Sequence, residues 1–180
     1  MDFKEKVLSI KNIFDGKVVH LDQETVQLPD GNQAQREIIR HPGAVGIIAI
    51  TDSNKIVLIR QWRAPLNQVT LEIPAGKIEL SEQDNPLLTA KRELNEETRF
   101  AADDFELVSK FYTSPGFADE IMYLYHAVNL KAVKEELPQD KDEFLELVEL
   151  SPAEVQKAIE NGEICDAKTL MAIMFWQMME

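Results

Sequence analysis

The sequence predicts an α/β fold with a small N-terminal β lobe, and three observations carry that prediction. Two short apolar runs, residues 44–51 and 55–61, are joined by Asp52-Ser53-Asn54 and read as a hairpin whose strands are buried on both faces. From about Pro86, Leu87, Ala90 and Leu94 recur at helical spacing. Ser151-Pro152-Ala153-Glu154 is a further helix start, with Ser as N-cap, Pro at the first helical position and Glu placed for a capping box. At 180 residues, of which 44% are apolar, the chain can bury one sizeable core without a second domain.

The elements follow in order. Residues 18–21 and 25–28 are short strand candidates, and Pro29-Asp30-Gly31-Asn32 is a turn leading to a strand over 35–40. This N-terminal lobe covers residues 1–41, and the main domain covers 42–180. After the predicted hairpin, residues 69–73 form a strand ended by Pro74-Ala75-Gly76, and a polar loop precedes the helix at Pro86. Residues 105–112 and 121–128 supply strands separated by the turn Ser114-Pro115-Gly116, and 144–150 supplies another. Asp166 can cap the last helix, whose apolar stretch 170–179 leaves few polar faces and is expected to be buried or to pack on a partner chain.

Charge and cysteine content narrow the function. The formal charge of −13 argues against nonspecific binding to nucleic acid or an anionic membrane, so a phosphorylated substrate needs a metal or local arginines. Stretch 170–179 is shorter than a membrane span. The single cysteine, Cys165, has no intrachain partner and reads as packing, and the charged start lacks the apolar core of a secretion signal; both fit a reducing cytoplasm.

The most informative run is Arg92, Glu93, Leu94, Asn95, Glu96, Glu97, three carboxylates on little more than one helical turn. At about 100° per residue, with Leu87 at zero, Ala90 and Leu94 set the buried edge near ~300° and ~340°. Glu93 then falls at roughly 240° and Glu97 at roughly 280°, beside the apolar boundary and poorly placed for full solvation. Arg92 is spaced to pair with Glu96, whereas no Lys or Arg shares the arc of Glu93 and Glu97. Two uncompensated like charges point to a divalent cation that prefers oxygen, Mg²⁺ or Mn²⁺, which uses few protein carboxylates and lets substrate phosphates complete its shell. The plainer alternative is a solvated acidic face.

With these residues in hand, the chain resembles the Nudix hydrolases, whose motif is G-x5-E-x7-R-E-U-x-E-E-x-G-U with U apolar. Gly76, Glu82, Arg92, Glu93, Leu94, Glu96, Glu97 and Phe100 match in type and order. Two departures stand out: the gap from Glu82 to Arg92 is longer than the pattern, and Arg99 occupies the place of the final Gly, which puts the helix end in question. Further segments (Lys17-Val18-Val19, Arg36-Glu37, His41-Pro42-Gly43, Gln61-Trp62-Arg63, Glu72-Ile73-Pro74-Ala75-Gly76-Lys77, Ser114-Pro115-Gly116-Phe117) are similar to the ADP-ribose pyrophosphatase branch. The resemblance implies an α/β/α sandwich around a mixed sheet, and a homodimer that exchanges its N-terminal lobe.

It also implies residue roles. Metal ligands fall on Glu93, Glu97 and the carbonyl of Ala75, with Glu96 close by; substrate contacts fall on Arg36, Glu37, Arg63, Lys77, Ser114, Gly116 and Glu120. A loop after the motif supplies a catalytic base and a metal-binding acid two residues later. Here that loop reads Gln139-Asp140-Lys141-Asp142-Glu143-Phe144, so Glu143 fits the ligand while Lys141 stands at the base position. Asp140 or Asp142 serves as base, or a glutamate of the motif such as Glu96 activates the water. The implied reaction is Mg²⁺-dependent hydrolysis of a nucleoside diphosphate sugar, with ADP-ribose giving AMP and ribose 5-phosphate; the alternative is a ligand-binding module on the same scaffold that has lost turnover. Taken singly, Arg63 reads as a surface cap and Arg36 with Glu37 as a surface ion pair. His20, His41 and His126 are dispersed without metal spacing.

Overall fold

The computed structural model describes residues 2–139 and 143–179. The chain divides into two compact units, one formed by residues up to Gly43 with Tyr112–Ile121, the other by Ala44–Phe111 with Met122 onwards. In the first unit β1 (Lys6–Asp15), β2 (His20–Gln27) and β3 (Gln33–Arg40) form an antiparallel meander. The predicted turn is present: Gly31 has φ +89°, and the Asp30 carboxylate accepts the Asn32 amide at 3.0 Å. The two short strand candidates before it are corrected. Val18 precedes β2, which is one longer strand, and β1 has no counterpart in the sequence reading. Its apolar residues do not alternate, and the ladder to β2 shifts register twice, so no period of two was there to read.

The loop Tyr112–Ile121 belongs to this unit through backbone bonds. Ile39 donates to Phe117 at 2.7 Å, and Asp119 donates to Ile39 at 3.1 Å. Arg40 ties the same loop to the sheet, its guanidinium meeting Asp22, Asp119 and the buried Glu24.

The second unit holds β4 (Ala44–Ala49), β5 (Ile56–Arg63), β6 (Gln68–Glu72), β7 (Ala75–Lys77), α1 (Pro86–Thr98), β8 (Phe100–Tyr112), β9 (Ile121–Ala132), β10 (Glu146–Leu150), α2 (Pro152–Glu160) and α3 (Ala167–Met179). The predicted hairpin of β4 with β5 is corrected. β4 lies in a four-stranded mixed sheet ordered β7-β4-β9-β8, antiparallel to β7 and parallel to β9, while β5 is central in a second sheet ordered β10-β5-β6. A single bridge, Ile50 to Ile56, is what remains of the hairpin. Both strands are apolar on both faces, so neither hydrophobicity nor the short loop records which neighbour each takes.

Alternation along β4 builds the predicted α/β/α sandwich. Val45, Ile47 and Ala49 join Ala90 and Leu94 of α1 in one core, while Ile48 joins Val155 and Ala158 of α2 and Ala172, Ile173 and Trp176 of α3 in the other. The helix starts are as expected. Ser151 and Glu154 form the capping box of α2, and the Asp166 carboxylate accepts the Thr169 amide at 3.1 Å at the head of α3. Helix α3 buries Ala172, Ile173 and Trp176 and leaves Met174 and Met178 exposed. No helix is long and apolar enough to cross a membrane, among the described residues.

Candidate active site

Helix α1 presents its carboxylates to the junction between β6 and β7. Glu97, only 6% exposed, accepts the Ala75 amide at 2.9 Å. Glu93, 9% exposed, packs so tightly against Gly76 that a Cβ at that position would overlap its carboxylate. Gly76 is therefore required for close approach. Its substitution by Ala is expected to push the Glu93 carboxylate aside while the fold survives, because the obstructing atoms belong to one side chain. A melting temperature near wild type with at least a tenfold loss of metal-dependent activity, the scale for disturbing a metal site's supports, is the expected pair of results.

Burial sets the electrostatics. It raises the Glu93 carboxyl to about 7 against the pull of Arg92. Burial and then the charge of Glu93 lift Glu97 well above the ordinary carboxylate range, against the Ala75 hydrogen bond. The charge of Glu143 adds to both shifts.

The expectation that no cation reaches these carboxylates is corrected for Glu93. Arg92 Nη1 donates to Glu93 and to Glu96 at 2.8 Å each, while its Nε and Nη2 grip Glu82 at 3.1 and 3.2 Å. An angular projection places the Arg92 backbone but not the reach of its guanidinium. The longer gap before Arg92 falls in the loop that follows a 3₁₀ turn at Leu80–Glu82, and Glu82 still meets Arg92. The helix end, placed in question by Arg99, is ordinary: Arg99 adopts φ +62°, ψ +21°, the left-handed conformation that a glycine would take, and donates its amide to Asn95 at 3.0 Å.

Ala75, Gly76, Lys77, Glu93, Glu96 and Glu143 line one cleft of about 270 Å³, with Glu97 bonded to its Ala75 edge. Asp140, Lys141 and Asp142 lie outside the described residues. Arg63 is not a loose surface cap. Its Nε and Nη2 clasp the carboxylate of Glu72 at 2.7 and 2.6 Å, a fork geometry that leaves Nη1 outside the clasp. Glu72 is 2% exposed and also accepts from Thr70 at 2.6 Å and from Lys168, which in turn meets Asp166 at 2.9 Å. Burial alone would raise Glu72, yet Arg63, Lys168 and Thr70 draw it down to about 2. Sequence reasoning missed this network. A glutamate between Leu71 and Ile73 in a buried strand was its one local signal.

The remaining candidates fall in the first unit. Arg36, Glu37 and Gly116 line a cleft of about 460 Å³ with Glu24, Arg40 and Asp119. Arg36 pairs with Glu5, Ser114 accepts the Phe117 and Ala118 amides, and Glu120 accepts the Thr113 hydroxyl and faces His41 at 3.5 Å. Among the described residues no three His, Cys, Asp or Glu side chains form a ready metal shell.

The sequence pattern of the NUDIX domain matches residues 40–172. The chain belongs to the Nudix family. Its similarity extends over whole proteins: it is 45% identical over 177 residues to an ADP-ribose pyrophosphatase of Bacillus subtilis (strain 168), covering 98% of this chain and 95% of that one. It is also 46% identical over 178 residues to a methanol dehydrogenase activator of Bacillus methanolicus, covering 99% of this chain and 95% of the relative. A crystal structure of an ADP compounds hydrolase shares the Nudix fold with a TM-score of 0.85 at 24% identity, over 98% of this chain and 93% of that one. The chain is thus a Nudix pyrophosphohydrolase.

Proposed function

We propose that this Nudix enzyme hydrolyses the pyrophosphate bond of a nucleoside diphosphate sugar in a Mg²⁺-dependent reaction, with ADP-ribose cleaved to AMP and ribose 5-phosphate. The observation that carries the reading is the pair Glu93 and Glu97, two buried carboxylates whose charges oppose each other at the edge of an open cleft. The residues fit a hard divalent ion. The donors are all oxygen, Glu93 is seated against a glycine, and both carboxyls are raised in its absence. Glu93, Glu97, Glu143 and the Ala75 carbonyl would hold it; Mn²⁺ suits the same donors. The chemistry such an ion supplies is neutralisation of pyrophosphate oxygens and acidification of a water. Arg63, oriented by Glu72, offers its remaining donors to a phosphate, and Lys77 lines the cleft of Glu93 and Glu96. An acid of the 139–143 loop, Asp140 or Asp142, or else Glu96, takes the proton from the attacking water. Arg36, Glu37, Ser114, Gly116 and Glu120 are the further substrate contacts that the resemblance implies.

A panel of ADP-ribose, other nucleoside diphosphate sugars and an adenine dinucleotide, with release of the nucleoside monophosphate as readout, tests the proposal. Rapid AMP release from ADP-ribose supports it. Binding of ADP-ribose with no AMP released would instead make the chain a binding module.

The proposed homodimer has its own support in the first unit. Every residue of β1 is exposed, including Val7, Leu8, Ile10, Ile13 and Phe14, and a three-stranded sheet with so much apolar surface open gains stability from a cover. Ile10→Lys is expected to yield monomers in sedimentation and to weaken substrate binding at the same time. A fully active dimer carrying this substitution would rule out that cover.

A further inference from the structure

β6 closes the sheet order β10-β5-β6, and amides on its outer edge are met by the chain around the start of α3. The Leu71 amide donates to the Glu163 carbonyl at 2.8 Å, and the Ile73 amide donates to the hydroxyl of the fully buried Thr169 at 3.0 Å. Glu72 lies between these two bonds. Its backbone is therefore fixed from the side of α3.

The side chain of Glu72 is just as fully engaged. Oε1 accepts from Arg63 Nε at 2.7 Å and from the Thr70 hydroxyl at 2.6 Å, while Oε2 accepts from Arg63 Nη2 at 2.6 Å and from Lys168 Nζ. A carboxylate offers about four lone-pair sites, and four donors fill them. The Arg63 fork is thus bracketed, with Thr70 beyond one oxygen and Lys168 beyond the other. A glutamate's terminal torsion is broad, so a carboxylate held beyond one oxygen alone is freer to turn and to carry the fork with it.

Lys168 stands where a helix favours an acid. It is the second residue of α3, at the positive end of the helix dipole, and its side chain is only 13% exposed. Its contacts must offset that placement. Nζ meets Glu72 and, at 2.9 Å, Asp166, whose carboxylate also caps the helix. At the other end of the chain of contacts, Arg63 keeps Nη1 outside the clasp, and its charge reaches Glu97. Lys168, Glu72 and Arg63 therefore form one rigid line from the head of α3 toward the buried carboxylates of α1.

We propose that Lys168 is a positioning residue for Arg63: it fixes the outer oxygen of Glu72 and so sets the direction in which the guanidinium presents its free edge to a substrate phosphate. The proposal rests on the reading of Arg63 as a phosphate contact.

Lys168→Met removes the ammonium and keeps most of the stem. On whichever substrate of the panel the wild type cleaves, KM should rise about tenfold, the scale of one hydrogen bond to a charged group, with kcat and the Mg²⁺ requirement little changed. A lysine that only neutralised Glu72 would lower the melting temperature and leave KM alone. Lys168→Gln keeps a donor for Oε2 and should give an intermediate KM; it decides the matter if Lys168→Met does not fold. Arg63→Lys keeps a cation on Glu72 and loses the fork, so it should raise KM by itself, and Lys168→Met added to it should raise KM little further. A wild-type KM in the Lys168 variants, with KM raised in Arg63→Lys, would overturn the positioning role. A further tenfold rise in the double variant would overturn the route through Arg63. A wild-type KM in Arg63→Lys would overturn the reading of Arg63 as a phosphate contact, and the role of Lys168 with it.

Discussion

Glu97→Gln is expected to abolish turnover and leave the fold intact. The substitution conserves volume and keeps an oxygen to accept the Ala75 amide, so the junction of β6 and β7 stays where it is. It removes one of the two buried carboxylates proposed to hold the divalent ion. Loss of a direct ligand exceeds the cost of losing its outer supports, so activity should fall by more than about a hundredfold at saturating Mg²⁺. Stability should move the other way in chelator. Burial and Glu93 raise the Glu97 carboxyl in the folded chain, so ionising it disfavours the fold, and a neutral amide escapes that cost. The pH dependence follows with a definite sign. Folded carboxyls raised above 4.5 bind more protons than the unfolded chain, so metal-free wild type should lose stability as pH rises from about 4.5 through about 7, where Glu93 titrates. The variant should lose less over the same window, and added Mg²⁺ should flatten the wild-type profile. Near wild-type activity in the variant would exclude Glu97 as a ligand.

What could be read in the sequence was whatever depends on short spacing. Helix α1 and the burial of Glu93 and Glu97 follow from a rotation per residue, and the starts of α2 and α3 follow from caps that act within four residues. The partners of β4 were not legible, since a strand apolar on both faces fits either sheet equally well. β1 was missed because bulges break its alternation. Arg92 was placed on the right turn but given too few partners, because the projection has no term for a side chain that turns back along the helix. The bond from Lys168 to Glu72 joins residues ninety-six apart in sequence, and nothing local to either announces it. Arg99 is the instructive case: its conformation matches what a glycine would adopt, so the motif described the backbone correctly even where the residue differs.

Glu72→Gln is expected to destabilise the second unit strongly. Glu72 is 2% exposed and carries the charge that Arg63 clasps with two bonds, while Lys168 approaches from α3. An amide cannot accept both cations, and removing one partner of a buried pair costs about 3–5 kcal/mol. Because Arg63 keeps some access to solvent, the lower end, about 3 kcal/mol, is the expected loss at neutral pH. The sign of the pH dependence is opposite to that at Glu97. Glu72 is drawn down to about 2 in the folded chain, so its contribution is complete above the ordinary value of 4.5 and is lost as pH falls toward 2. The gap in stability between wild type and variant should therefore be wide at pH 7 and narrow near pH 3, measured by denaturant unfolding. Substrate affinity should fall as well, since Arg63 no longer has its orienting clasp. A variant as stable as wild type at pH 7 would show that Arg63 and Lys168 do not depend on this carboxylate, and the proposed placement of Arg63 toward phosphate would lose its physical basis.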